Sequence, residues 1–486
     1  MPTTAPVTLD GHSLSIADVV AVARANAPVA LNPKALEAVR ASRRAVEAAV
    51  ERGETIYGVN TGFGKLAHVR IPPEQARQLQ LNLIRSHASG VGDPLGQDAV
   101  RAMMLLRANV LARGTSGVRP AVPELLVEML NRKIHPTVPS QGSVGASGDL
   151  APLSHLALAM IGEGEVRVPN PITLEAKEGL AFVNGTQAQT GLAALLVNDA
   201  WTLWRTAHGA AAMSLEAVRG SPDPFDSRIH DARPHAWQQR SAALMRELLA
   251  DSEIRESHRE NDPRVQDAYS LRCTPQVLGA VGEGFAFAER LVATELNAAT
   301  DNPLVFGDDV LSGGNFHGQP IALALDVIAI ALTTLAGLAE RRLERVVNPD
   351  LSSGLPAFLA NDPGLESGFM TAQIAAAALV ADCRVLATPA SVQSVPTEGN
   401  QEDVVPMGMS AAWKAGRILA NTERIVAIEL LAGAQGLEFL KPLKPSKAVG
   451  RLHEAVRNVS AALTADRPLT TDIERMARGI RGGMFA

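Results

Sequence analysis

The segment GSVGASGDLAP, Gly142–Pro152, has the residue types and spacing most suggestive of chemistry in this chain. It is not a phosphate-binding loop, because it lacks lysine, and its glycine spacing does not fit a dinucleotide site. It is not a serine hydrolase elbow, because Asp149 stands where that motif needs glycine. From the residues alone, one open interpretation is a helix lead-in, with Ser147 or Asp149 capping a helix that begins at Leu150.

The other open interpretation is that Ala146-Ser147-Gly148 cyclises on itself. In a compressed turn the Gly148 nitrogen can attack the Ala146 carbonyl carbon, because glycine has no side chain to block the approach. Loss of water closes a five-membered ring, and loss of the Ser147 hydroxyl as a second water leaves an exocyclic methylene. The product is an electrophilic methylidene-imidazolone, whose formation requires a strained backbone that the surrounding structure enforces.

The chain contains only two tyrosines, Tyr57 and Tyr269. Tyr57 lies in the glycine-flanked stretch YGVNTGFG, which predicts a mobile loop over a site. Arg272 follows Tyr269 by three residues and Gln266 precedes it by three, so on a helix the three side chains share one face. A guanidinium there suits bidentate binding of a carboxylate, and the alternative is a structural ion pair.

Helical periodicity predicts the elements that must position these residues. Asn32-Pro33 is typical of a helix start, and Gly53 suits the end of that helix. Strand patterns are short and few, so the predicted fold class is mainly α. The predicted strands are Val7–Leu9, Val166–Val168 and Leu304–Phe306, and the other long helical patterns cover about Ala99–Ala112, Leu153–Gly162, Thr186–Leu215, Gln238–Leu249, Pro275–Ala299, Ile321–Val347, Met370–Leu386 and Met409–Leu437.

Several predicted helices are apolar over most of their surface and need partners on every side. This pattern predicts a long-helix bundle that forms an oligomeric core, with a smaller mixed region at the N-terminus. We place the boundary between residues 1–110, which carry the Tyr57 loop, and the helical-bundle region 111–486. The apolar run Pro320–Ala339 is nearly long enough to cross a membrane, but it contains Asp326, and we predict a helix buried on all sides.

Composition limits the functional classes. The 45 basic and 51 acidic residues argue against nucleic acid or an anionic membrane as the main partner. Two cysteines in 486 residues do not make a disulfide framework, and the N-terminal pattern is not that of a signal peptide, so the expected location is cytoplasmic. No histidine pair has metal-ligand spacing together with a third ligand, so no metal is expected.

Seven polar clusters interrupt the helices, and in this order they resemble the motifs of the aromatic amino acid ammonia-lyases. The resemblance runs from about Thr55 to Leu437. It implies a mainly α homotetramer with shared active sites. It also implies a cofactor, 4-methylidene-imidazol-5-one (MIO), made by the chain itself from Ala146, Ser147 and Gly148 without an external group. The clusters are Tyr57–Gly64, Ile84–Gly92, Gly142–Leu150, Phe182–Gln187, Gln266–Cys273, Ser312–Pro320 and Gly399–Val405.

The resemblance implies β-elimination of ammonia, in which the electrophile captures the amine and a base removes the β-proton. It implies Tyr57 as that base, with a pKa lowered by nearby donors or positive charge, and Tyr269 as the second candidate. Arg272 would bind the substrate carboxylate, with Gln266 on the same stripe. Asn184 would hold the amino and carboxylate groups and help to position the cofactor ring.

Within this resemblance, three positions favour L-histidine as the substrate, which would give trans-urocanate in the first step of histidine degradation. The pair Ser86-His87 stands where tyrosine-acting members carry His-Leu and phenylalanine-acting members carry Phe-Leu. His87 and Glu402 both suit an imidazole, and Met370 stands where phenylalanine-acting members carry lysine. Phe316 would form a wall of the pocket.

The sequence leaves three alternatives open. A phenylalanine or tyrosine ammonia-lyase, or a 2,3-aminomutase, is one, since Gln401–Met407 departs from the QEDHVSM of many histidine-acting members and Gly164–Lys177 is short. A lyase of the fumarase–aspartase type is disfavoured because its GSSxMPxKxN loop is missing. A non-catalytic relative would be expected to lack Tyr57, Arg272 or the Ala-Ser-Gly triad, and all are present.

Overall fold

The structure is a computed structural model that describes residues 5–486. The chain forms two compact units. Unit 1 comprises the described residues up to Asn198, with Ala288–Asp326 and Pro389–Trp413, and unit 2 comprises Asp199–Phe287, Val327–Thr388 and Lys414–Ala486. The boundary predicted at residue 110 concerns segments of the sequence, falls within unit 1 and stays a prediction.

Helices dominate the described residues, which confirms the prediction of a mainly α fold. The long helices lie close to the predicted ranges, and the shorter ones connect them. The helices are α1 Ile16–Ala25, α2 Pro33–Glu51, α3 Ala76–His87, α4 Gln97–Ala112, α5 Ala121–Asn131, α6 Leu150–Met160, α7 Glu178–Val183, α8 Gln187–Ala217, α9 Ser227–Asp231, α10 Ala236–Leu248, α11 Glu253–Glu256, α12 Tyr269–Arg272, α13 Thr274–Glu295, α14 Gln319–Val347, α15 Met370–Leu386, α16 Gly408–Glu438, α17 Lys447–Val459 and α18 Thr470–Arg481.

The strands form three small two-stranded sheets, all in unit 1. The first pair is parallel and the other two are antiparallel. The strands predicted at Val7–Leu9 and Leu304–Phe306 are confirmed, but the prediction at Val166–Val168 is wrong, because that segment has no regular structure. The pairs are β1 Val7–Leu9 with β2 Val29–Leu31, β3 Val91–Pro94 with β4 Pro139–Gln141, and β5 Leu304–Phe306 with β6 Asp309–Leu311.

Local sequence signals set the ends of α2 as predicted. The Asn32 side chain accepts a hydrogen bond from the Lys34 N–H, and Pro33 occupies the first helical position. Gly53 has φ of 74°, a left-handed conformation that glycine adopts without strain just after a helix end.

Helix α14 is long and apolar enough to cross a membrane by length and composition, and 61% of its most apolar window is buried within the protein. Asp326 is buried and accepts backbone hydrogen bonds from Ala390 (3.0 Å) and Ser391 (2.7 Å). The prediction of burial on all sides is wrong for part of the helix, since Leu323 and Ile330 are exposed. A helix with a remaining exposed apolar strip has a surface that a further partner can cover.

A buried ion pair joins two helices within unit 2. Arg342 of α14 donates from Nε to Glu429 of α16 over 2.5 Å and from Nη2 over 3.0 Å, and both side chains are fully buried. The Ser214 hydroxyl of α8 donates to the same carboxylate over 3.0 Å. Neither charge is in contact with water, so each depends on the other for its stability in the core.

We therefore expect Glu429→Leu to destabilise the protein by about 3–5 kcal/mol, because it leaves the Arg342 guanidinium buried without a counter-charge. Urea unfolding followed by circular dichroism measures the effect. The double variant Arg342→Leu/Glu429→Leu is the matched control and should lose less than the single variant. Equal losses in the two variants would show that the uncompensated charge is not the cause.

Candidate active site

The Ala-Ser-Gly triad lies in the loop between β4 and α6, against a second loop that contains Gly185. Gly148 has φ of 77°, and a Cβ atom built on it would lie 2.2 Å from the Gly185 oxygen. The two glycines form an isolated bridge, and the Asp149 N–H donates to the Gly185 oxygen over 2.7 Å. Only glycine fits at position 148, because any side chain would collide with the backbone of the facing loop.

The residues just before the triad are held by two other segments of unit 1. The Met407 N–H donates to the Val144 oxygen over 2.8 Å, and the Gly318 N–H donates to the Gly145 oxygen over 3.0 Å. With the bond from Asp149, the turn is fixed at both ends. Its glycines therefore allow a tight, fixed turn and do not make the segment a flexible connector.

Asp149 occupies the N-cap position of α6, one of the two cap residues considered from the sequence, but its side chain makes no capping hydrogen bond. Its fully buried carboxylate accepts hydrogen bonds from the Gln189 N–H (2.9 Å) and Nε2 (3.1 Å), in the first turn of α8, and from the Ser143 hydroxyl (3.1 Å). Burial raises the pKa of Asp149 to about 6. The carboxylate ties the loop to the start of α8, where N–H groups and the helix dipole favour an anion.

The Ser147 carbonyl and hydroxyl have separate partners. Asn184, at the end of α7, donates from Nδ2 to the Ser147 carbonyl oxygen over 2.9 Å, while its buried Oδ1 has no partner among the described residues. The Ser147 hydroxyl donates to Glu402 Oε1 over 2.7 Å. The Thr397 hydroxyl donates to the other Glu402 oxygen over 2.6 Å and fixes the carboxylate.

Tyr57 lies in the predicted loop and is partly buried. Its hydroxyl oxygen accepts a hydrogen bond from the Gly64 N–H over 2.9 Å, and Glu398 packs against Gly64. Burial raises the pKa of Tyr57, the Gly64 N–H opposes this, and the carboxylates of Glu398 and Glu402 raise it further. The expectation of a lowered Tyr57 pKa is therefore wrong within this chain, because the nearby charges are negative.

His87 is the last residue of α3. Its Nδ1 lies 2.9 Å from the Leu83 carbonyl oxygen, which assigns the proton to Nδ1 and leaves Nε2 as an acceptor. Burial lowers the pKa of His87, and the carbonyl of Leu83 and the charge of Glu402 partly oppose this. The side chain is therefore set up to accept a hydrogen bond as a neutral imidazole.

Two cavities in unit 1 share Ala146 and Ser147 as a common wall. The first, of about 460 Å³, is lined by Tyr57, Asn184 and the half-buried Phe316. The second, of about 380 Å³, is lined by His87. Both include Ala146, Ser147 and Glu402. The structure thus brings together eight of the residues predicted from the sequence.

Three of the four predicted residues in unit 2 lie together. Tyr269 begins the short helix α12 and is 71% exposed, and the Arg272 guanidinium carbon lies 4.8 Å from its ring centre. Arg272 donates to the Gln266 side-chain oxygen. Gln266 and Arg272 line a cleft of about 370 Å³ in unit 2. Met370, the half-buried first residue of α15, lines none of these three cavities.

Three polar residues near the triad were not predicted from the sequence. Thr397 orients Glu402, Glu398 faces the Tyr57 loop, and Arg107 of α4 donates to the Asn184 carbonyl oxygen over 3.0 Å. The available signal for Arg107 was an arginine within the apolar run MMLLRANVLA. Across residues 5–486, no group of three His, Cys, Asp or Glu side chains has an arrangement that could hold a metal ion.

Comparison with known proteins identifies the family of the chain. The sequence model of the aromatic amino acid lyase family matches residues 14–458. A histidine ammonia-lyase of Koribacter versatilis is 51% identical, over 98% of each chain. Among solved structures, the tyrosine aminomutase of Streptomyces globisporus has a TM-score of 0.92 at 42% identity, over 99% of this chain and 98% of that one. The histidine ammonia-lyase of Trypanosoma cruzi has a TM-score of 0.91 at 42% identity, over 99% and 94%. The resemblance predicted from the polar clusters is confirmed, and the chain belongs to the aromatic amino acid lyase family.

Proposed function

We propose that this protein is a histidine ammonia-lyase, which eliminates ammonia from L-histidine to give trans-urocanate. The observation that carries the proposal is the position of Ser147, on the common wall of one cavity with Tyr57 and another with His87. This arrangement offers an acceptor for the amine, a base for the β-proton and a polar site for the substrate ring.

We also propose that Ala146, Ser147 and Gly148 form MIO, with no external cofactor. The residues present fit this group: Gly148 leaves no room for a side chain, Asn184 holds the Ser147 carbonyl oxygen, and the Asn184 Oδ1 has no partner among the described residues. When formed, MIO supplies an electrophilic carbon that captures the amine of the substrate.

The side chains of unit 1 have distinct proposed roles. Tyr57 takes the β-proton, and Asn184 orients the amino and carboxylate groups of the substrate. His87 Nε2 accepts the imidazole N–H of histidine, Glu402 balances the charge of that ring, and Phe316 forms an apolar wall. These groups bind and orient the substrate and move one proton, which is what an elimination requires of the protein.

Removing the charge of Glu398 is expected to shift the pH dependence of the reaction. A deprotonated Tyr57 is the active form, so kcat/KM rises with pH through the Tyr57 pKa, which Glu398 raises. Glu398→Gln lowers that pKa and moves the rising limb to lower pH. Initial rates measured across the pH range, with the exposed Glu74→Gln as control, test this. An unmoved limb in Glu398→Gln would contradict the role of Tyr57.

His87→Leu is expected to raise KM for L-histidine by about fivefold to tenfold, because the substrate imidazole loses one neutral hydrogen-bond acceptor. Steady-state kinetics measure the change. Ser89→Ala, in the same cavity, is the matched control and should leave KM near the wild-type value. A wild-type KM in His87→Leu would show that His87 does not bind the substrate.

We propose further that the chain works as a homotetramer, in which subunits share active sites and one copy supplies Gln266, Tyr269, Arg272 and Met370 to another. The exposure of Tyr269 and the exposed apolar residues Ile374 and Val385 of α15 support this proposal. Co-expression of Ser147→Ala with Tyr269→Phe tests it, since mixed tetramers should be more active than either variant alone. Mixed tetramers without activity would argue against shared sites.

The cytoplasm is the proposed location, where the free thiols Cys273 and Cys383 stay reduced and histidine degradation begins. The second candidate function is a phenylalanine or tyrosine ammonia-lyase or a 2,3-aminomutase, which the likeness to the solved tyrosine aminomutase favours. Supplying L-histidine, L-phenylalanine and L-tyrosine separately decides between them. We expect urocanate from L-histidine at the highest kcat/KM, whereas β-tyrosine or a cinnamate as the main product would favour the second candidate.

A further inference from the structure

The three residues between α7 and α8, Asn184-Gly185-Thr186, form a linker that contacts the triad loop on one side and Arg107 on the other. One side meets the triad loop. It holds the Ser147 carbonyl oxygen through Asn184 Nδ2 (2.9 Å), accepts the Asp149 N–H at the Gly185 oxygen (2.7 Å), and places Gly185 against Gly148. The position of the linker therefore sets the position of Gly148.

Arg107 of α4 holds this linker from its other side. It is fully buried, and its Nη1 donates to the Asn184 carbonyl oxygen (3.0 Å) and to Gln187 Oε1 (2.6 Å). Its Nη2 donates to the Ala181 carbonyl oxygen, in the last turn of α7. One guanidinium thus joins the end of α7, the linker and the start of α8, as a planar fork of donors can do.

Gly185 is enclosed between these two sides. A Cβ atom at this position would lie 2.5 Å from Arg107 Nη1 and 2.4 Å from Gln187 Oε1. Gln187 is itself fixed, since its Nε2 donates to the Thr300 hydroxyl over 2.7 Å. The linker therefore cannot retreat from Gly148 without displacing Arg107, Gln187 or Thr300.

Arg107 keeps its positive charge although it is buried in the core. Burial lowers its pKa to about 10, and the negative charge of Asp301 opposes this. The buried Lys177 donates to Asp301 over 2.8 Å and is the other cation of this region. Because the guanidinium stays protonated at neutral pH, it donates strong hydrogen bonds to the carbonyl oxygens of Ala181 in α7 and Asn184 in the linker.

We propose that Arg107, acting through Gln187 and Thr300, is a positioning residue for closure of the Ala146-Ser147-Gly148 ring. It presses the linker against Gly148 and keeps the Gly148 nitrogen near the Ala146 carbonyl carbon. This inference rests on the proposed self-made cofactor and adds the residues that compress the turn.

The covalent change needs no other reactant. The Gly148 nitrogen bonds to the Ala146 carbon, and the Ala146 oxygen leaves as water with the amide hydrogens of Ser147 and Gly148. The Ser147 hydroxyl then leaves as a second water with the hydrogen on its own Cα. Two bonds of the ring system become double bonds, and nothing is oxidised or reduced. The proposed effect of Arg107 is to bring the reacting atoms together.

The test is the mass of freshly purified full-length variants, together with the masses of the peptides that contain residues 146–148. Wild type is expected to be lighter than its sequence by two waters. In Arg107→Met we expect the dehydrated fraction to fall strongly, with ring closure slowed by about a hundredfold, the scale of a misplaced reacting group. Arg107→Lys keeps the positive charge but loses the planar set of donors, so its dehydrated fraction should lie between those of wild type and Arg107→Met.

The matched control is Arg101→Met, which removes another buried arginine of α4. Arg101 donates to the carbonyl oxygens of Val22 and Leu130 and has no role at the linker. Its folded fraction should be fully dehydrated. If Arg107→Met does not fold, Gln187→Leu and Thr300→Val take its place in the test. In both variants we expect part of the protein to keep residues 146–148 undehydrated.

A folded Arg107→Met with a wild-type unfolding transition and full loss of two waters would overturn the proposal, as would full dehydration of both milder variants. An unmodified wild type would instead refute the self-made cofactor. A dehydrated wild type that forms no urocanate would refute the substrate and leave the role of Arg107 intact.

Discussion

Ser147→Ala is expected to fold normally, to be lighter than its sequence by one water at most and to lose activity by at least about 10⁴-fold. The hydroxyl is the group that leaves as the second water, and alanine has none to lose. Enzymes of all kinds accelerate reactions by about 10⁶-fold or more, so removing the electrophile takes away much of that enhancement. Intact mass and the rate of urocanate formation measure the two effects on one sample.

Ser154→Ala is the matched control for this variant. Ser154 is also a buried serine, in α6, and its hydroxyl has no hydrogen-bond partner among the described residues. We expect this variant to be two waters lighter than its sequence and as active as wild type. An active Ser147→Ala would contradict the proposed mechanism, because the electrophilic exocyclic methylene could not have formed.

Tyr57→Phe is expected to lower kcat by about 10²- to 10⁴-fold, the contribution of a positioned general base, while the cofactor still forms. The substitution keeps the aromatic ring, whose edge-to-face contact with Phe63 has a centre distance of 6.5 Å. The Gly64 N–H loses one acceptor, which costs stability by about 1 kcal/mol. Single-turnover rates with L-histidine separate the proton transfer from binding.

Tyr269→Phe distinguishes the two tyrosines that the sequence left open. Tyr57 lines the cavity that contains Ser147, so its loss should slow proton removal and abolish the rising limb of the pH profile. Tyr269→Phe should keep that limb. If Tyr57→Phe keeps the limb and Tyr269→Phe loses it, the assignment of the base must be reversed.

Much of the fold could be predicted because its signals are local. The cap at Asn32, the long apolar periods and the range Met370–Leu386 depend on neighbouring residues, and the structure agrees with them. The strands Val91–Pro94 and Pro139–Gln141 were missed because their sequences, VGDP and PSQ, are short and polar, and each is defined only by pairing with the other.

The sequence predicted which residues belong to the candidate site, but not which atoms those residues contact. Glu402 was assigned to the substrate ring, yet its carboxylate accepts the hydroxyl of Ser147, 255 residues earlier in the sequence. Tyr57 was expected to have a lowered pKa, but that prediction needed the charges around it, and those are carboxylates from a distant segment. Arg107 was not predicted for the same reason, because its hydrogen-bond partners follow it by more than 70 residues in the sequence.

The most direct test of the central claim uses the purified protein with L-histidine and no added cofactor. We predict that urocanate and ammonia appear in equal amounts, from protein whose intact mass is two waters below that of its sequence. Release of neither product from folded protein, or activity in protein of full sequence mass, would contradict it.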